Sequence, residues 1–355
     1  MLLEGLQLPL TTPFYSDGRL NLRKLEHNAD RYSKTPVAGL VVLSETGEPT
    51  LLQEEETRQA LRTAIDAAAA TKVMLAGVSR DSVLGTVELA EFAAGVGYDA
   101  VLVKQPSFLR VGARGQGIKE LLTYFRAVAD RSPAPVVLYS STGSEQGGGL
   151  PVEVVSELAG HPQIIGLVDE RPGRERMELL KHETADVKCD VTVTTVFAAV
   201  TGRMLSQAEP ASAGTFVSAD TLTGGAALAV APPKAGLKTR TKAVGFQVLV
   251  GGTAVMLEGL LAGAVGAMPA FAACAPQACY EVFAAWKDGD EGLAREKQLR
   301  LQAVAEHIEG ELGVPGLKFG CDLNGYFGGR PRLPLLPTTG EERREIELLM
   351  QGLRN

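Results

Sequence analysis

Residues able to move protons recur at one kind of place in this chain, directly after short apolar runs. Glu45-Thr46-Gly47-Glu48 follows 39–43, Lys104-Gln105 closes 100–104, Tyr139 closes 135–139, and Asp169-Glu170 follows Val168 at the end of 164–168. Thr11-Thr12 follows 6–10, and Gly251-Gly252 follows 244–250. Carboxylates gathered near a phenol suit general acid and base work, because crowded acidic groups push one another's pKa values apart. Lys104 is an amine that becomes nucleophilic where it is desolvated. Metal chemistry finds no support: His27, His161, His182 and His307 show no HExxH-type spacing, and Cys189, Cys274, Cys279 and Cys321 show no CxxC. No metal and no cofactor is expected.

The elements that must hold these residues alternate regularly. Apolar, β-branched runs at 6–10, 39–43, 72–77, 100–104, 135–139, 164–168, 244–250 and 263–268 are separated by helical patterns such as 22–32, 53–70, 83–94, 118–130 and 152–158. Continuous apolar strands, each followed by a helix, are buried parallel strands, and eight of them predict a TIM (β/α)8 barrel. An open doubly wound sheet would want a glycine-rich turn after the first strand, where the chain has Thr11-Thr12-Pro13-Phe14. In a barrel the C-terminal strand ends carry the chemistry, which makes Tyr139, Glu45, Asp169 and Lys104 the catalytic candidates. Thr46, Gly47, Val168, Gly251 and Gly252 are the substrate-binding candidates.

The link between the sixth helix and the seventh strand is far longer than usual, so 184–242 reads as an insertion. It opens with a strand-like Thr/Val run at 191–197 and closes with the basic string Lys234, Lys238, Arg240, Lys242. A helix-to-strand link lies at the N-terminal face, so the insertion is expected to serve assembly rather than to cover the site. The barrel is placed at 1–288 and a helical extension at 289–355.

With 355 residues, 45% of them hydrophobic, the chain can bury a large core, and a net charge of −7 leaves no footprint for nucleic acid. The start has no basic segment, and the long apolar stretch 243–280 is broken by Gly251-Gly252, Gly263, Gly266 and Pro269. A cytoplasmic protein acting on a small molecule, without membrane contact, is the expectation. The 143–149 stretch, rich in glycine, could cradle an anion but reads better as a flexible loop. The polar, aromatic 322–330 stretch reads as a turn at a subunit contact.

Several motifs then fall into a familiar order: Leu10-Thr11-Thr12-Pro13-Phe14, Thr46-Gly47-Glu48 with Thr50-Leu51, Val136-Val137-Leu138-Tyr139, Ile164-Ile165-Gly166-Leu167 and Arg332-Leu333-Pro334-Leu335. With them the chain resembles the dihydrodipicolinate synthase / N-acetylneuraminate lyase family of class I aldolases, over about 1–170 and 244–345. The resemblance implies a lyase acting on a 2-keto acid, built as a homodimer or homotetramer. It also implies a Schiff-base lysine at the end of strand six. The matching residue is Val168, which cannot form an imine. The family's hydroxyl residue before Thr-Gly-Glu is Glu45 here, which would repel an incoming carboxylate. Its aromatic pair after strand four is Ser107-Phe108, and of its tyrosines Tyr139 alone is kept. The chain is thus identified as a divergent member.

Three readings follow. Tyr139 with Glu45, Asp169 or Glu170 could run altered acid/base chemistry on a neutral or cationic substrate. Lys104 could be a relocated amine. The barrel could instead be a non-catalytic ligand-binding or assembly subunit. Set against these are plainer roles: Tyr139 as a core aromatic, Lys104 as a rim ion-pair partner of Glu45 or Asp169, Glu48 as a loop anchor, and Asp169-Glu170-Arg171 as a solvated charge run.

Overall fold

The structure, a computed structural model, describes residues 1–109, 117–141, 149–170, 172–208 and 237–353. The strands are β1 (Gly5–Pro9), β2 (Gly39–Val42), β3 (Val73–Gly77), β4 (Ala100–Lys104), β5 (Val136–Ser140), β6 (Ile164–Asp169), β7 (Cys189–Thr194), β8 (Thr239–Val244), β9 (Gln247–Val250) and β10 (Gly266–Ala267). The helices are α1 (Leu22–Ser33), α2 (Glu54–Ala67), α3 (Val83–Val96), α4 (Ile118–Ala129), α5 (Val152–Ala159), α6 (Arg174–Glu183), α7 (Gly202–Ala208), α8 (Met256–Leu261), α9 (Pro276–Lys287), α10 (Glu291–Ala305), α11 (Gly313–Leu323) and α12 (Gly340–Leu349).

Eight strands close a parallel barrel in the order β1-β2-β3-β4-β5-β6-β9-β10, with helices between them: a TIM barrel, as the alternating pattern predicts. The strands are mostly apolar because both of their faces are buried, with polar residues such as Lys104, Ser140 and Asp169 at their C-terminal ends. Inward-pointing Val41, Leu75, Leu102, Val137, Val168 and Leu249 fill the barrel. Their neighbours Leu40, Val42, Met74, Val101, Val103 and Leu138 pack outward against the helices. Helix entries are set locally: the Ser82 side chain accepts the Gly85 amide at the start of α3, and Gln53 with Glu56 closes a capping box on α2. The register places Lys104, Tyr139, Val168 and Leu249 side by side on β4, β5, β6 and β9, one level at the C-terminal end of the barrel.

The stretch 244–250 is not one strand. β9 starts at Gln247, and Val244 ends β8, which pairs antiparallel with β7 from Cys189↔Val244 to Thr194↔Thr239. The two differ physically: β9 is buried along its length, whereas β8 is exposed or half-buried throughout and opens with four consecutive polar residues. β7 stops at Thr194, before Phe197, which turns with φ 62°. The hairpin sits at the N-terminal end of the barrel. There Val191 and Val193 pack on Leu2, Lys242 pairs with Glu4 at 2.8 Å, and the Gly202 amide donates to Asp99, just before β4, at 2.9 Å.

The extension continues past α9 as α10, a π-helical turn Glu306–Glu311, α11 and α12. Asp322 and Leu323 end α11, so the 322–330 stretch is part helix and part turn. Among the described residues no helix is long and apolar enough to cross a membrane, and no group of three or more His, Cys, Asp or Glu could hold a metal ion. Apart from Gly149, the 143–149 loop lies outside the described residues, as do Arg171 and Lys234.

Candidate active site

The centre of the strand-end face is Tyr139. Only 7% exposed, it donates its hydroxyl to Glu170 Oε1 at 2.6 Å, while Ser141 Oγ donates to Glu170 Oε2 at 3.2 Å. Burial pushes the Tyr139 phenol well above its ordinary value, and the carboxylates Glu170, Glu45 and Glu309 push it further the same way. Tyr139 is therefore a neutral hydroxyl at physiological pH, a proton or hydrogen-bond donor rather than a base.

Beside it, Lys104 Nζ lies 3.2 Å from Glu45 Oε1. Glu45 opens the short 3-10 turn Glu45–Gly47, in which Thr46 and Gly47 are buried and Thr12 Oγ1 donates to the Gly47 carbonyl at 2.6 Å. Lys104 is thus an ion-pair partner of Glu45 at the barrel mouth. On the other side of Tyr139, Val168 is wholly buried in the inner apolar cluster. It offers carbon only.

Asp169 is not brought to this group. Strand alternation turns it away from the barrel interior, since Val168 points inward. Its carboxylate instead accepts Arg176 Nε of α6 at 2.6 Å, and Arg176 Nη2 donates to the Leu150 carbonyl at 2.6 Å. Glu170, one residue past the strand, is the carboxylate that reaches Tyr139. Gly251 and Gly252 explain how. The Gly251 amide donates to the Asp169 carbonyl at 2.6 Å, and a Cβ on Gly251 would stand 2.9 Å from Glu170 Cα. A Cβ on Gly252 would stand 2.5 Å from the Glu170 carbonyl oxygen. These glycines seat the Glu170 backbone.

Glu48 is an anchor. Its carboxylate pairs with Lys318 of α11, both side chains fully buried, and accepts the Arg332 amide at 2.8 Å. Burial holds the Lys318 amine below its ordinary value, offset in part by Glu48. Arg332 grips Glu56 with two bonds of 2.6 Å and covers the Phe14 ring.

One acidic group was not singled out in the sequence. Glu309, on the π-helical turn, accepts the Thr253 amide at 3.1 Å, the Phe271 amide at 3.0 Å and the Thr253 hydroxyl. Its carboxyl is raised by burial; those hydrogen bonds lower it and the charge of Glu170 raises it. No spacing signal marks it, because a π-turn has no sequence period to read.

A family model described as the dihydrodipicolinate synthetase family matches residues 2–189 and 235–352. L-threo-3-deoxy-hexylosonate aldolase of Hypocrea jecorina is 36% identical over 167 residues, 46% of this chain and 52% of that protein. The chain thus spans about half the length of that relative. 4-hydroxy-tetrahydrodipicolinate synthase of an Exiguobacterium species is 25% identical over 347 residues, 98% of this chain and 97% of that protein. The crystal structure of dihydrodipicolinate synthase from Bacillus anthracis covers 100% of both chains with a TM-score of 0.77 at 20% identity, a likeness of fold.

Proposed function

Since the chain belongs to the dihydrodipicolinate synthetase family, whose relatives bear the names of aldolases and synthases, we propose that it is a lyase working by acid/base chemistry without an imine. The observation that carries this reading is the 2.6 Å bond from Tyr139 to Glu170 beside a wholly buried Val168. Glu170 takes a hydroxyl proton from the substrate, the neighbouring carbon–carbon bond breaks, and its electron pair collects on a carbonyl oxygen. The protonated Glu170 then hands its proton to the Tyr139 oxygen as the Tyr139 hydroxyl hydrogen turns to that oxygen and is delivered to it, which leaves Tyr139 neutral and Glu170 ionised again. Thr46 and Gly47 border the substrate, and the Lys104–Glu45 pair closes one side. A 2-keto acid is the substrate class the family suggests, with Lys104 the cation that meets its carboxylate. A neutral or cationic group suits the side facing Glu170.

We read 1–288 as the barrel, 184–242 as its insertion and 289–355 as the extension of a cytoplasmic homodimer or homotetramer. The test is a panel of hydroxylated 2-keto acids, scored by release of the smaller carbonyl product. Tyr139→Phe and Glu170→Gln should each cut turnover by about 10²–10⁴-fold while the fold is kept. Borohydride with pyruvate should leave the protein mass unchanged. An adduct mapping to Lys104 would favour the second reading, a relocated amine, which the shared register of Lys104 and Tyr139 supports. Wild-type turnover in both variants would exclude the acid/base roles. Ligand binding without any turnover would leave a non-catalytic barrel.

A further inference from the structure

Glu309 reaches the strand-end face from far along the chain, on the only described segment with π-helical hydrogen bonding, Glu306–Glu311. Such turns are rare and recur at functional sites, because the widened turn rotates side chains to places an α-helix cannot reach. The carboxylate joins two loops that leave neighbouring barrel strands. Thr253 follows β9 and Phe271 follows β10, and both donate their backbone amides to Glu309, at 3.1 and 3.0 Å. Thr253 adds its hydroxyl. Gln298 of α10 completes the clamp: its side-chain amide donates to the Thr253 carbonyl at 2.9 Å.

The clamped loop is the one that seats Glu170. Thr253 directly follows Gly251-Gly252, whose backbone lies so close to Glu170 that a Cβ would stand at 2.9 Å and 2.5 Å from its atoms. The Glu170 amide is fixed from the other side by the Ser140 carbonyl at 3.1 Å. An unbroken line of contacts therefore runs from Glu309 through Thr253 and the two glycines to Glu170 and the Tyr139 hydroxyl. Among the described residues the hydrogen bonds of Glu309 go to Thr253 and Phe271, so its hold on the backbone acts through them.

We propose that Glu309 is a positioning residue: by clamping Thr253, the C-terminal extension fixes the backbone on which Glu170 stands and so sets the Tyr139–Glu170 hydrogen bond. That this pair is the reacting one rests on the function proposed above; that Glu309 positions it is read without turnover. The readout is the Tyr139 line in the NMR spectrum of protein labelled at tyrosine Cζ, whose shift follows the strength of the phenol hydrogen bond. The chain has seven tyrosines, and Tyr139→Phe identifies the line by its loss. Glu170→Gln marks where the line moves when the carboxylate acceptor is gone.

Glu309→Gln keeps the shape but places an amide group against one of the donors, so the Tyr139 line should shift towards the Glu170→Gln position. Thr253→Val should shift it in the same direction, and Thr253→Ser should restore it. Glu56→Gln, which weakens the Arg332 clamp away from this path, should leave the line in place. The proposal is overturned if the line stays put in Glu309→Gln, or if Glu56→Gln moves it as far. Should Glu309→Gln fail to fold, the contrast between Thr253→Val and Thr253→Ser decides, an unmoved line in both refuting the clamp. Loss of turnover in Tyr139→Phe is a separate measurement, so failure of the catalytic reading and of the positioning reading cannot be confused.

Discussion

Glu48→Gln is the sharpest probe of how the mouth is held open. Glu48 and Lys318 have 1% and 0% of their side chains exposed, and besides this partner the amine has the Arg330 carbonyl at 3.0 Å and the Phe14 ring at 4.4 Å. Removing the negative charge strands a buried ammonium, a change that costs about 3–5 kcal/mol when one partner of a buried pair is lost. Unfolding entropy of about 2.1 cal/mol/K per residue over 355 residues makes that a fall in Tm of roughly 4–7 °C. The pH dependence has a definite sign. Burial already holds Lys318 below its ordinary value, and Glu48 is what lifts it partway back, so the variant amine falls further. Between that lowered value and the ordinary lysine value the unfolded chain binds more protons than the folded one, and stability rises with pH. The deficit against wild type should therefore be largest near neutrality and shrink on the alkaline side. Calorimetry at about pH 7 and about pH 9.5 reads both numbers. The double variant Glu48→Gln, Lys318→Met should recover most of the loss, because no charge is left buried. A single-variant loss below about 1 kcal/mol, or a deficit that grows with pH, would refute the account of the pair as a buried, burial-strained anchor.

Val168→Lys puts an amine in register beside Tyr139, and borohydride trapping with pyruvate should then add one adduct to the protein; an unlabelled, folded variant would mean that the level shared by β5 and β6 is not open to substrate. Asp169→Asn strips the charge from the 2.6 Å bond to Arg176 and should cost about 1.5–3 kcal/mol, read by denaturant midpoint; no change in midpoint would show that the bond carries no weight. Replacing 189–244 by a short glycine linker should lower the oligomeric mass in light scattering if the hairpin serves assembly. An unchanged mass with lost ligand binding would assign it to the site instead.

Much of this architecture is legible because barrel strands buried on both faces leave continuous apolar runs, and because Ser82 and the Gln53–Glu56 box punctuate helices by local hydrogen bonds. The hairpin is half legible. The Val191 run announces one strand, but its partner Thr239–Val244 is polar and solvent-facing, so its basic residues read as a charge string and its last residue merges with the next apolar run. Among the acidic residues, strand alternation separates Val168 from Asp169, yet it says nothing of Glu170, which lies past the end of the strand where the period stops. What aims Glu170 at Tyr139 is the close approach of Gly251-Gly252, a contact about eighty residues away in the chain.

Long stretches of chain likewise separate what holds the mouth from the residues proposed to work in it. The loop bearing Glu45 is anchored through Glu48 to Lys318 and Arg332, and the loop bearing Gly251-Gly252 through Thr253 to Glu309 and Gln298. All four anchors come from α10 and the chain beyond it. Strand ends nominate the reacting groups, since every strand of a parallel barrel delivers its last side chain to the same face. Which of those groups meet is decided by an extension whose own pattern is that of surface helices, and whose key carboxylate is turned inward by a π-helical register. On the proposed reading, a barrel of this kind keeps its strands while its chemistry changes, through either one strand-end residue such as Val168 or one clamp such as Glu309.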